Sequence, residues 1–115
     1  MNLPQSLSTD RRNNDRQPFR TAATLGLPDG RAIPARCLDI GLGGAGVVCD
    51  LNIPVGTLIV AVMRVPARPS GSAVFEASAS VASCTLAGSE GGFRLGLQFN
   101  TLSPAATSAL RGVLT

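Results

Sequence analysis

The chain has 115 residues, room for one domain, with 44% apolar and 15% charged residues, a balance that supports a core and argues against disorder. Its formal net charge is +3, every basic residue is Arg, and His, Lys, Trp and Tyr are absent. Without His neither a Ser–His nor a Cys–His nucleophile can be assembled, and the commonest zinc ligand is missing.

In chain order, residues 1–18 are polar and aperiodic and read as a flexible basic arm. Arg11, Arg12 and Arg16 lie in it and Arg20 beside it, against Asp10 and Asp15. The arm lacks the apolar stretch of a signal peptide. From Arg20 onward, strand signals alternate with turn signals, which suggests a barrel or sandwich. Thr21 to Leu27 is the first strand, and Pro28-Asp29-Gly30 is a turn in which Pro presets φ and Gly supplies a positive one. Ala32 to Leu38 is the second strand, with Pro34 suggesting an edge. Asp39 to Gly44 is a glycine-dense turn, and Ala45 to Cys49 the third strand. Thr57 to Arg64 reads as a strand buried on both faces, followed by a Pro/Gly/Ser loop.

The last two strands alternate most clearly. Phe75, Ala77, Ala79 and Val81 share one face, as do Phe93, Leu95, Leu97 and Phe99, with Arg94, Gly96 and Gln98 outward. The segment Gly88-Ser89-Glu90-Gly91-Gly92 joins them as a hairpin loop. The period then changes: Ser103 is placed to cap a helix over about 104–114, Pro104 to begin it, and Ala106, Ala109, Leu110 and Val113 recur at helical spacing. Such a short helix must dock on the strands to persist. Cys37, Cys49 and Cys84 form no C-x-x-C and are odd in number, so they read as small hydrophobes rather than a disulfide or metal set. The longest strongly apolar run, Leu58 to Met63, is too short to cross a bilayer, and the expected location is the cytoplasm.

Two segments carry chemistry. Arg16-Gln17-Pro18-Phe19-Arg20 sets two arginines four apart before the first strand, and Asp39-Ile40-Gly41-Leu42-Gly43-Gly44 follows a carboxylate with three glycines. Separately they read as a solvated tail and an ordinary Asp–Gly turn. In this order, followed by strands, they resemble the PilZ family, which carries R-x-x-x-R before its first barrel strand and [DN]-x-S-x-x-G between the second and third. Arg16 and Arg20 match the first motif, and Asp39 and Gly44 the second. The D-G turn, the G-G-A-G-V run and the late G-L-Q-F strand are similar too, so the resemblance covers residues 16 to about 112. Arg12 and Arg16 form a second R-x-x-x-R; Arg16 and Arg20 are preferred because Arg20 abuts the strand.

The resemblance implies an all-β fold, a six-stranded antiparallel barrel at residues 19–115 with a short C-terminal helix, and a non-enzymatic receptor for cyclic di-GMP that signals to a downstream protein. It implies no cofactor and no metal. The implied ligand site is Arg16, Arg20, Asp39, Gly41, Gly43 and Gly44, with Arg11 and Arg12 as candidates for added contacts or a second ligand molecule. Gly41 stands where the family has Ser. The residue types suit the ligand: guanidinium groups fork onto phosphate and guanine O6/N7, a carboxylate accepts from guanine N1–H and N2–H₂, and glycine lets backbone approach. Two other readings remain. One is a PilZ-like interaction module without nucleotide binding, which Gly41 keeps open. The other is a small RNA- or ssDNA-binding barrel, disfavoured by the lack of exposed aromatics for base stacking. Enzyme activity is disfavoured by the absence of His, of a carboxylate pair and of a G-x-x-x-x-G-K-[ST] loop.

Overall fold

The computed structural model describes residues 16–67 and 69–114. Six strands, β1 (Gln17–Gly26), β2 (Ala32–Ile40), β3 (Gly44–Cys49), β4 (Leu58–Pro66), β5 (Ser72–Leu86) and β6 (Phe93–Phe99), precede one helix, α1 (Pro104–Leu114). All neighbours pair antiparallel, and the sheet closes on itself in the order β1-β2-β3-β6-β5-β4. The fold is therefore the expected six-stranded barrel, not a sandwich.

Alternation decides the interior. Ala23 and Leu25 of β1, Ile59, Ala61, Met63 and Val65 of β4, Phe75, Ala77, Ala79 and Val81 of β5, and Leu95, Leu97 and Phe99 of β6 are all buried and belong to one cluster. Phe75 and Phe99 meet at its centre, ring centroids 5.3 Å apart and tilted by 60°, an arrangement favourable for aromatic rings. β4 is not buried on both faces: Leu58 is exposed and Val60 and Val62 are half-buried. A single closed sheet has one interior, so a strand whose residues are apolar on both sides must still turn one set outward.

Several boundaries moved for identifiable reasons. β1 starts at Gln17 rather than Thr21, so Gln17 and Pro18 belong to the barrel, while residues 1–15 of the expected arm lie outside the described residues. β5 runs on past Val81, where a register shift between Val81 and Ser83 breaks the two-residue period and hides the continuation. Closure leaves no edge strand for Pro34; instead it lies beyond the ladder with β3, which begins at Arg36. The β5–β6 hairpin contains a 3₁₀ turn, Gly88–Glu90.

α1 is capped as its sequence suggests, with the Ala106 N–H donating to the Ser103 hydroxyl at 3.0 Å. Ala106, Leu110 and Val113 enter the interior cluster beside β4 and β5, so the helix stops one mouth of the barrel. Full burial of a Leu such as Leu110 is worth about 1.5–3 kcal/mol, which holds a helix too short to persist alone.

At the opposite level of detail, one glycine is imposed by strand spacing. A Cβ on Gly44 would run into the carbonyl oxygen of Leu97 on β6, whereas a Cβ on Gly43 would meet nothing within 4 Å. Gly44→Ala should therefore lower stability by about 1–3 kcal/mol, seen as a fall in Tm by circular dichroism, while Gly43→Ala should leave Tm near wild type. Equal Tm values for the two variants would show that β3 and β6 do not approach this closely.

Candidate functional site

The two sequence motifs meet on the outside of the barrel, and a bulge brings this about. Ala35 and Cys37 point inward, so strict alternation would bury Asp39 as well. Between Cys37 and Asp39 the β2–β3 register slips, Leu38 being the extra residue. The slip restores Ile40 to the interior and turns Asp39 outward, leaving its side chain 21% exposed.

Three donors then hold the Asp39 carboxylate. The Gly46 N–H donates to Oδ1 at 2.9 Å, Arg16 donates to the same oxygen at 3.3 Å, and Arg94 donates to Oδ2 at 2.8 Å. Arg94 comes from β6 and has to reach across β3. It crosses at Gly46, where a Cβ would sit 2.9 Å from both Asp39 oxygens and 3.2 Å from Arg94 Nη2. Only a bare backbone leaves room for this ion pair.

The turn after Asp39 closes with the Gly41 N–H donating to the Gly44 carbonyl at 2.8 Å. Arg16 rests on Gly41: a Cβ there would lie 3.1 Å from Arg16 Cγ and 3.2 Å from its Cα. A serine at this position would press the arginine outward by a few tenths of an ångström. Arg16, Gly41, Gly43, Gly44, Ala82, Leu97 and Gln98 line a cleft of ≈ 350 Å³, inside the range of roughly 300–1,000 Å³ usual for small-molecule sites.

Arg20 takes a different partner from Arg16. It pairs with Glu90 of the β5–β6 hairpin at 3.6 Å, and Arg36 joins the same carboxylate at 3.3 Å. Hydrogen bonding from Arg36, together with the charge of Arg20, holds the Glu90 carboxyl below its usual value. Of the sequence-derived residues, Arg16, Asp39, Gly41, Gly43 and Gly44 thus surround one corner, and Arg20 stands in a neighbouring ion cluster. Arg11 and Arg12 lie outside the described residues. Gly46, Arg36, Glu90 and Arg94 are additions. Their signal in the sequence was limited to the outward placement of Arg94 on its strand, the strand positions of Gly46 and Arg36 and the loop position of Glu90, because cross-strand register is not written in spacing.

Among the described residues no group of three or more His, Cys, Asp or Glu side chains is placed to hold a metal ion, and no helix is long and apolar enough to cross a membrane. Cys37 and Cys49 are buried free thiols, in keeping with hydrophobic packing.

The PilZ domain family model matches residues 10–115, and the chain belongs to that family. Among solved structures it is similar to the Bacillus subtilis inhibitor of motility MotI/DgrA, with a TM-score of 0.71 and 16% identity over 84% of this chain and 46% of that one. It is also similar to the PilZ domain of YcgR from Escherichia coli, a structure with c-di-GMP, with a TM-score of 0.63 and 18% identity over 86% of this chain and 85% of that one. The chain spans less than half of the MotI chain. At such identities the likeness is one of fold. No curated protein matches the chain.

One buried group beneath the site has a measurable consequence. The Cys37 thiol donates to the Asp39 carbonyl at 3.3 Å, and burial first, then the Asp39 charge, push its pKa up to about 11. An unfolded chain releases that proton near pH 8.5, while the folded chain retains it to about pH 11. The unfolded state thus binds fewer protons in that window, and stability should fall as pH rises through it, having been level below. Urea midpoints measured from pH 7 upward should decline for the wild type and decline less steeply for Cys37→Ala. Parallel slopes would remove Cys37 as a source of the effect.

Proposed function

We propose that this PilZ domain is a receptor for cyclic di-GMP, acting as a non-enzymatic cytoplasmic adaptor that passes the ligand's presence to a partner protein. The observation that carries the reading is the meeting of Arg16 and Asp39, 3.3 Å apart, over a glycine turn beside a cleft. The solved PilZ domain of YcgR with c-di-GMP gives the ligand class its support.

The donor set suits such a ligand. Each phosphate of a cyclic dinucleotide is singly negative and accepts bidentate bonds from guanidinium groups. Arg16 is already beside the cleft. Arg20 is bound to one oxygen of Glu90 while Arg36 holds the other, and a phosphate can take the place of that carboxylate on Arg20 at little net cost. Asp39 offers acceptors to a guanine edge, and Gly43, with open space at its Cβ position, leaves the backbone uncovered. The role of Gly41 follows from its contact: the hydroxyl of the family serine is absent, and Arg16 lies closer to the turn in exchange. Arg11 and Arg12 remain candidates for further contacts.

Two measurements test the reading. Calorimetric titration with cyclic di-GMP should show saturable binding, and replacing both Arg16 and Arg20 by Ala should weaken it at least about 100-fold with Tm unchanged. Unchanged affinity in that variant rejects the site, and no binding by the wild type favours the interaction-module reading. Separately, Glu90→Gln should release Arg20 and tighten binding about two- to fivefold. Weaker binding in Glu90→Gln would mean that Glu90 contributes to the site rather than competing for it.

A further inference from the structure

We propose that Arg94 is a specificity-determining residue of this site, selecting guanine over adenine by reading the base beside Asp39. The inference rests on the receptor reading above and names a residue outside both motifs.

The argument begins with what Asp39 and Arg94 present together. Arg94 Nη2 binds Asp39 Oδ2 at 2.8 Å, so a carboxylate acceptor and a guanidinium donor stand side by side. Neither is free to wander. The Gly46 N–H and Arg16 fix the other carboxylate oxygen, and Gly46 lets the pair lie directly over the backbone of β3. The Arg94 side chain is 48% exposed, and one of its five N–H donors accounts for the bond to Asp39, so other donors are open to a ligand. Gly46 also faces Gly96 across the β3–β6 ladder. The Asp39–Arg94 pair covers Gly46 and the Ser83 hydroxyl covers Gly96, so the outward edges of the pair, rather than the backbone beneath, are what a base can meet.

Guanine presents, in order around its edge, N2–H₂ and N1–H donors and then O6 and N7 acceptors. A carboxylate next to a guanidinium is the complement of that order: Asp39 accepts from N1–H and N2–H₂, and Arg94 donates to O6 and N7. Adenine reverses the two central positions. Its N1 is an acceptor facing the carboxylate, and its N6–H₂ is a donor facing the guanidinium. The carboxylate is then left without a partner while losing water, and the guanidinium keeps N7 but meets a donor in place of O6; leaving polar groups of the site unpaired is the strongest means it has of rejecting an analogue. Wherever Arg16 and Arg20 bind phosphate they supply no such distinction, because every cyclic dinucleotide carries the same phosphates.

The test titrates wild type, Arg94→Ala and Arg94→Lys with cyclic di-GMP and with cyclic di-AMP, the latter also by displacement of a fluorescent cyclic di-GMP, and records Tm for each protein. Arg94→Ala should lose about tenfold or more in cyclic di-GMP affinity with little change toward cyclic di-AMP, so the selectivity ratio falls by the same factor. Arg94→Lys, which keeps the charge and loses the fork, should recover only part of the ratio. A structural role would lower Tm, or weaken both ligands alike and leave the ratio intact, and either result overturns the assignment. So does wild-type selectivity in Arg94→Ala, a result that leaves the receptor reading standing if the wild type binds cyclic di-GMP. A wild type that binds neither ligand overturns the receptor reading and the role of Arg94 with it.

Discussion

Closure of the sheet is the constraint on which the rest of this structure turns. A closed barrel has one interior, and each strand must divide its residues between that interior and a single outer face. In β4, β6 and β5 as far as Val81 the division is a plain alternation. In β2 it is broken by the extra residue at Leu38, and that break places a carboxylate outside that would otherwise be buried. An unpaired charge in the core would be far more costly than one lost ladder position. The bulge thus resolves a conflict between pattern and chemistry and, in doing so, creates the anchor around which the arginines gather.

Those arginines form two units of the same kind. Asp39 binds Arg16 and Arg94, and Glu90 binds Arg20 and Arg36. In each, one carboxylate holds two guanidinium groups, and both reach over β3, from β6 to β2 in the first and from β2 to the β5–β6 hairpin in the second. This explains why β3 is buried along its whole length although half of its residues face outward. It also leaves each unit with surplus positive charge on a face where glycine backbone is bare at Gly43. The modest net charge of the chain is therefore a poor guide to the local field, whose surplus among the described residues gathers on this one side.

Much of the fold was legible because it rests on short-range rules. The alternation in β6, the Ser103–Pro104 helix start and the turn at Gly30 each follow from a few adjacent residues. The site was half legible. Arg16, Asp39 and the glycines after it could be picked out as motifs, and they do converge. The pairing of Arg20 with Glu90 could not be, because it depends on where a hairpin lands on the neighbouring strands. Arg94 was hidden for the same reason: alternation shows that it points outward, but only the register β2–β3–β6 brings it within 2.8 Å of Asp39. Gly46 was read as ordinary strand sequence, and its lack of a side chain acquires meaning only when two side chains from different strands cross over it.

An anion arriving at this face would meet arginines that already have partners, and that sets the character of any binding. Breaking an exposed ion pair to form another is close to an exchange, so affinity comes mainly from what the exchange adds. The additions are the surplus charge of each unit, a ligand fork with better geometry than the 3.6 Å contact of Arg20, and contact of a flat ring with uncovered backbone. Pre-existing pairs also keep the arginine side chains partly ordered, which lowers the entropy lost when a ligand fixes them. The resident carboxylates are thus both competitors and scaffolds. Asp39, held by a backbone N–H as well as by two arginines, is the more rigid of the two, while Glu90 sits in a turn bounded by glycines of positive φ and is the more easily displaced. A ligand that replaced the Glu90 carboxylate while keeping Asp39 would free Arg20, while Arg36 keeps its bond to the Glu90 carbonyl at 3.1 Å.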